Sequence, residues 1–220
     1  IEGASTNSFS HSTYAKSKLL FTKDPTIESL FDQLHHIGSR DTDFQLLRSG
    51  AGAAYNLYKA RKWLVTRGDL ELTAIWLIRA AEFLAQIEAG LAGEIIGREV
   101  LPQGQRLNPE LFEVIYTDLL NRKKTKKAVG QALDTADAYL ERKAKRLFKP
   151  VFEYLRAAGD ACSATAIDHH FDRTHDVNQV VAGCEYLADI GLIDKVSTPV
   201  RLTTRSQIDV DELAFFYNED

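Results

Sequence analysis

Apolar positions along this chain recur mostly at three- and four-residue spacing, the period of amphipathic helices. Residues 1–10 are small and polar and read as extended. Tyr14 to Thr22 carries the run Leu19–Leu20–Phe21 and predicts a strand, closed by Lys23–Asp24–Pro25. Thr26 to His36 predicts a helix opened by Pro25 or Thr26 and ended by Gly38. From Thr42 onward the pattern is strongly helical. Phe44, Leu47, Ala51, Ala54, Tyr55, Tyr58, Arg61 and Val65 share one face, and Arg67–Gly68 stops that helix. Asp69 caps the next, which runs to about Gly97. Trp76, Phe83 and Ile87 widen its apolar face, so much of its circumference is expected to be buried. Leu101 to Leu107 reads as a loop. Asn108–Pro109 opens a helix from Glu110 to Asn121, and a last long helix runs from about Thr125 to Lys149, where Pro150 breaks it.

After Pro150 the period shortens. Val151 to Ala158 predicts a short helix stopped by Gly159, and Ser163 to Phe171 a second with Ser163 as N-cap. Asp176 to Ile190 predicts a third, capped by Asp176 and ended by Gly191. Leu192 to Thr203 predicts two β-runs around a Ser197–Thr198–Pro199 turn. Three helices and a hairpin match the plan of a helix-turn-helix with a wing. The expected fold is mainly α, an antiparallel helical bundle followed by a winged-helix-like α+β module. Three segments follow: 1–40 as an N-terminal strand and helix, 41–149 as the bundle, and 150–220 as the winged-helix-like part.

Charge changes how the C-terminal part is read. The 220 residues carry a net charge of −4. Residues 150–220 hold five basic side chains against thirteen acidic ones, so the first 149 residues are net positive. Between Asp176 and Gly191 there is no Arg or Lys. Major-groove readers depend on those cations, so only non-specific DNA affinity is expected of the C-terminal part. It is expected instead to pack or dimerise through apolar surface around Phe215, Phe216 and Tyr217. Cys162 and Cys184 form neither a disulfide framework nor a zinc spacing and read as reduced core residues. No stretch is long and apolar enough to span a bilayer, and no signal-peptide pattern is visible, so a cytoplasmic protein without a membrane partner is expected.

Several clusters carry candidate chemistry. Asp41 and Asp43 resemble a paired-carboxylate magnesium motif. On a helix, however, they point to different sides, and Asp41 or Thr42 reads better as an N-cap, so no catalytic residue is assigned. His169, His170 and His175 are dense enough to suggest a metal but sit where surface and turn residues are expected, so no metal or cofactor is assigned. His35 and His36 suit a helix C-terminus. Arg122, Lys123, Lys124, Lys126 and Lys127 form the strongest basic cluster and are the candidate phosphate or nucleic-acid contact. Arg142, Lys143, Lys145, Arg146 and Lys149 extend that positive potential. Tyr55, Tyr58 and Trp76, with Arg79 and Glu82 one turn apart, are the candidate pocket for a nucleotide or other flat ligand.

The string AYNLYKARKWLVTRGDLELTAIWLIRAAEFLAQIEAGLAG, Ala54 to Gly93, resembles the helical C-terminal domain of bacterial nucleotidyltransferases of the DNA polymerase β superfamily. In that family a Lys/Arg-rich helix ends at Gly-Asp and the chain returns in a long apolar helix. The stretch SHSTYAKSKLLFTKDPTIESLFDQL looks like the exit from the catalytic domain that precedes it. The resemblance spans about residues 10–150. It implies a region that binds the acceptor substrate and closes a nucleotide cleft, with the catalytic Gly-Ser turn and aspartates in an upstream domain. The favoured expectation is therefore the non-catalytic, substrate- or partner-binding region of a nucleotidyltransferase-like protein. On this reading the chain is not a complete enzyme alone, and its winged helix serves regulation or homodimerisation. A ligand-sensing transcription regulator and a protein–protein adaptor are the alternatives.

Overall fold

The computed structural model describes residues 8–33, 38–201 and 209–218. It is mainly helical, with one small antiparallel sheet near the C-terminus, as the hydrophobic periods predict. The N-terminal part departs from expectation. A helix, α1 (Ser8–Ala15), occupies the start of the expected strand, and Lys18 to Thr22 joins no sheet among the described residues. A strand needs a partner edge, and among the described residues none pairs with this segment. Leu20 and Phe21 are left 88% and 75% exposed. Helix α2 (Pro25–Gln33) follows, with the Asp24 carboxylate accepting from the Thr26 backbone N–H at 2.9 Å. His35 and His36 lie outside the described residues.

Helix α3 (Ser39–Arg67) begins earlier than the apolar pattern suggests. Gly38 is the N-cap, and the Thr42 hydroxyl donates back to the Gly38 carbonyl at 3.0 Å, so neither Asp41 nor Thr42 caps the helix. Gly68 closes α3 in the left-handed region, at φ +63°, where a side chain would be strained. Asp69 then caps α4 (Leu70–Leu91) by accepting from Leu72 N–H at 2.8 Å. So short a link forces α3 and α4 antiparallel. Small residues on both, including Ala51, Ala54, Ala81 and Ala85, are buried and let the helices approach closely.

Leu101 to Leu107 is helical, not a loop: α5 spans Val100–Leu107. Pro102 is tolerated because it sits in the first turn, where its missing N–H has no partner to lose. Asn108 then accepts from Leu111 N–H and Pro109 starts α6 (Pro109–Phe112), as the sequence predicts. A π-helical turn, Glu113–Thr117, separates α6 from α7 (Asp118–Asn121). Helix α8 (Lys126–Leu147), capped by Thr125, runs to the Pro150 break, and α9 (Lys149–Ala158) continues past it to Gly159. The Phe148 ring at the break is fully buried and packs against Gly50 of α3.

The C-terminal part contains β1 (Cys162–Ser163), α10 (Ala164–His175), α11 (Val180–Asp189), β2 (Asp194–Arg201) and β3 (Asp209–Phe216). The sheet order is β1-β3-β2, all antiparallel. Three boundaries differ from the sequence pattern. α10 runs a turn further, to His175, so Asp176 is its left-handed C-cap and not the N-cap of α11. Gln179, at φ +62°, precedes α11 instead. Finally, β2 passes straight through Ser197–Pro199, in register from Asp194↔Phe216 to Arg201↔Asp209. Pro199 needs no turn because β2 is an edge strand, where a missing N–H is harmless. The hairpin connection lies in 202–208, outside the described residues.

One core joins the two parts, since the Phe148 ring also packs against Gly183 of α11. Arg48 on α3 donates to the Asp176 carbonyl and lies 3.2 Å from its carboxylate. Phe215 is fully buried, so it is unavailable as the apolar docking surface expected of it. Cys184 is buried, whereas Cys162 is only half-buried on β1. Among the described residues no helix is long and apolar enough to cross a membrane.

Candidate functional site

The α3–α4 hairpin gathers most of the sequence-derived pocket. Tyr55, Tyr58 and Lys59 are one turn apart or less on α3, and Trp76 and Arg79 are one turn apart on α4. Antiparallel packing brings the two sets together. The Tyr55 and Trp76 rings meet edge-on at 6.3 Å and 81°. The Arg79 guanidinium lies 4.8 Å from the centre of the Trp76 ring. Lys59 Nζ lies 5.0 Å from the Tyr55 ring and 6.0 Å from Tyr58, which is 58% exposed. Neither Lys59 nor Arg79 has a carboxylate within ion-pair distance among the described residues. Trp76 Nε1 is buried with no acceptor. An unpaired buried N–H is costly.

Glu82 does not complete this cluster. It makes no ion pair with Arg79 and lines a separate cleft of about 510 Å³ with Gln86, Arg98, Pro102 and Tyr116. Tyr116 reaches that cleft from the π-helical turn, whose extra residue shifts its register. Lys59 was not among the sequence-derived residues. Its position four residues after Tyr55 was the available signal.

The basic cluster divides. Arg122 is held by Asp118 at 2.8 Å and lies 4.0 Å from Glu113, which offsets its charge. Lys123, Lys124, Lys126 and Lys127 have no ion-pair partner among the described residues. Lys126 and Lys127 occupy the first turn of α8, where the helix dipole already concentrates positive potential. They share an open groove with Gln131, Asp134 and Arg142. Asp118, Arg122, Lys123 and Lys124 line a smaller cleft of about 180 Å³ behind it.

Asp41 and Asp43 point apart, as helical spacing requires. Asp43 is nearly buried and accepts from Arg146 at 2.5 Å and Lys149 at 2.7 Å, tying α3 to α8 and α9. Burial pushes its carboxyl up, but hydrogen bonds from Lys149 and Arg146 and their charges outweigh that and hold it below the ordinary range. Tyr139, buried on α8, donates to Glu88, and Arg61 pairs with Asp137 nearer the surface. Burial raises the Asp137 carboxyl despite Arg61.

The histidines of α10 belong to a ring stack. His175 lies on Phe44 at 3.8 Å, and His170 lies on Tyr154 at 4.3 Å with its pKa lowered by burial. His169 is exposed. Among the described residues no group of three His, Cys, Asp or Glu side chains is placed to hold a metal ion.

No protein-family model matches the sequence, and no curated protein matches it significantly. The fold does have a counterpart. The crystal structure of a nucleotidyltransferase-like protein from Exiguobacterium sibiricum 255-15 superposes with a TM-score of 0.73. The match covers 97% of this chain and 72% of that one, at 16% sequence identity. The bundle and the small sheet beyond it thus follow the fold of a nucleotidyltransferase-like protein along nearly their whole length.

Proposed function

We propose that this chain is the ligand- and partner-binding region of a nucleotidyltransferase-like protein, with the Tyr55–Lys59–Trp76–Arg79 cluster as its contact for a nucleotide or similar flat anion. The observation that carries the reading is the meeting, on one aromatic surface, of two cations that have no carboxylate partner among the described residues. A base stacks on aromatic faces, while phosphates need cations, so the cluster offers both halves of nucleotide recognition. The fold shared with the nucleotidyltransferase-like protein supports the setting. The exposed Leu20 and Phe21 also support it, because two large apolar side chains on an unpaired segment are the kind of surface a further domain covers.

On this reading residues 1–40 lead from the catalytic domain, 41–149 form the binding bundle, and 150–220 act as a winged helix that contacts protein. The helix–strand–helix–helix–hairpin order of α9, β1, α10, α11, β2 and β3 supports the winged-helix comparison. The lack of Lys and Arg on α11 favours a protein partner or a second copy over DNA.

Trp63 and Trp76 are the two tryptophans, so Trp63→Phe leaves Trp76 as the sole reporter. Titration of that protein with ATP, GTP, CTP and UTP should give a saturable change in Trp76 emission, weakened at least about tenfold by Arg79→Ala, the loss of one charge-assisted contact. An unchanged Trp76 signal with all four nucleotides at millimolar concentration would refute the assignment.

A further inference from the structure

The cations around the α7–α8 turn outnumber the acids that could offset them. Asp118 and Glu113 are committed to Arg122, at 2.8 and 4.0 Å. Asp134 lies 3.9 Å from Arg61. Lys123, Lys124, Lys126 and Lys127 have no carboxylate within ion-pair distance among the described residues, and neither has Arg142 further along α8. Val129, Leu133, Ala136 and Leu140 turn one side of α8 into the core. Lys126, Lys127, Gly130, Gln131, Asp134 and Arg142 line the other side, along an open groove of about 770 Å³. Lys123 and Lys124 line the adjoining cleft, and the two meet at Gln131.

A glycine in this groove is a second, independent observation. A Cβ at Gly130 would meet nothing within 4 Å. Gly50, Gly52, Gly90, Gly104 and Gly183, also inside helices, would each place one within 3.2 Å of a neighbouring side chain. Packing accounts for those glycines but not for Gly130, which weakens its helix relative to alanine. The missing side chain leaves bare backbone between Lys126, Lys127 and Asp134, where a bulky anion can come close.

Lys126 and Arg142 stand about 24 Å apart along the helix axis, too far for one phosphate group to serve both. A chain of phosphates does serve both. Neither cleft has an aromatic lining residue, so bases find no ring to stack on of the kind single-strand sites provide. A duplex carries one charge per about 1.7 Å of its axis, against at most one per about 3.3 Å for an extended acidic peptide.

We propose that the α7–α8 turn and the outer face of α8 form a docking surface for the phosphate backbone of a nucleic-acid duplex, contacted without regard to base sequence. The acidic excess of residues 150–220 repels the same polyanion, so the duplex is held on the bundle and away from the C-terminal sheet.

The test is fluorescence anisotropy of labelled duplexes of about 20 base pairs, one of DNA and one of RNA, titrated with the whole chain. Both should bind at 50 mM salt, within about threefold of each other, and more tightly than the single strands. With four or five phosphates neutralised, affinity should fall roughly 150- to 500-fold between 50 and 200 mM salt. The double variant Lys126→Glu/Lys127→Glu should weaken binding at least about tenfold and lower the salt slope by about two. Lys18→Glu/Lys23→Glu, with the same change in net charge, should cost no more than about threefold. Gly130→Leu changes no charge and should weaken binding several-fold while circular dichroism shows the fold and Tm retained. The surface is overturned if neither duplex binds at 50 mM salt, if the two double variants cost the same, or if Gly130→Leu binds as wild type. Poly-glutamate at matched charge concentration should compete at least about tenfold less well than duplex, and equal competition would give the surface to an acidic protein instead. The Trp76 response to mononucleotides should persist in Lys126→Glu/Lys127→Glu, and duplex binding should persist in Arg79→Ala, so either site can fail alone.

Discussion

Two glycine-to-alanine substitutions should move stability in opposite directions, and the contrast tests how α5 is docked. Gly104 on α5 is buried against Ala85 of α4 and Phe112 of α6. A methyl added there would stand 2.7 Å from Ala85 Cβ and 2.6 Å from the Phe112 ring. Carbon atoms in good contact stand about 3.5–4.0 Å apart, so the methyl is about 1 Å too close on both sides. Ala85 and Phe112 are fully buried, and the Ala85 Cβ is fixed to the α4 backbone. Relief must therefore come from moving α5 itself. Overpacking of this kind costs about 1–3 kcal/mol. Alanine recovers up to about 1 kcal/mol over glycine through helix propensity. The net expectation for Gly104→Ala is a loss of about 1–2 kcal/mol, or about 2–8 °C in Tm for a chain of this size. Gly130 on α8 has no atom within 4 Å of such a methyl. Gly130→Ala should gain about 0.5–1 kcal/mol and raise Tm by about 1–4 °C. Urea titration and thermal melting followed by circular dichroism measure both. If Gly104→Ala proves as stable as wild type, α5 is not packed on Ala85, and the loop expected from Pro102 and Gly104 describes that segment better.

Asp43→Asn should cost about 1–2 kcal/mol at pH 7, less than a fully buried pair because Arg146 and Lys149 are each nearly half exposed. The Asp43 carboxyl is held below its ordinary value, so its stabilisation is present above the unfolded pKa of about 3.9 and is lost as pH falls through the folded value. The gap between wild type and Asp43→Asn in urea midpoints should therefore hold from pH 7 to about pH 5 and narrow as pH falls below about 3.9, and a gap that widens on acidification would contradict the ion triad. Cys162 and Cys184 should separate in a timed thiol titration of the native protein. Cys184 is buried with its thiol pushed up by burial, so it should react at least about a hundredfold more slowly than half-buried Cys162, and equal rates would place Cys184 at the surface.

Helices with a dominant apolar face were legible because burial on one side imposes the 3.6-residue period directly. The α3–α4 hairpin and the Thr125, Asn108 and Ser163 caps all follow from local chemistry that the sequence carries in full. Where the expectation failed, a local signal was outweighed by tertiary context. Gly104 reads as a loop residue alone, yet it is the small side that lets α5 lie on Ala85. Pro199 reads as a turn residue, yet an edge strand accepts it without losing a ladder bond. Leu19–Leu20–Phe21 has the composition of a strand, but composition cannot supply the neighbouring strand.

The candidate sites show the same division. Tyr55 and Trp76 lie on facing helices, and the length of the Gly68–Asp69 turn sets which residues of α3 and α4 stand opposite each other, so their meeting could be foreseen. Glu82 is only one turn beyond Arg79, but it stands six residues from Trp76, a spacing that turns it off the Trp76 face and into another cleft. The meeting of Lys149 and Tyr217 beside one cleft could not be foreseen from spacing at all. Lys149 belongs to α9 and Lys145 to α8, and Tyr217 arrives from the far end of the chain after β3 has paired on both edges. Phe148 fits between Gly50 of α3 and Gly183 of α11 and so packs α11 against the bundle. Bulk at Gly183, where a methyl would stand 2.6 Å from the Phe148 ring, would disturb that junction before it disturbed either part. The junction between the two parts thus rests on a contact between residues far apart in the chain, which no local spacing displays.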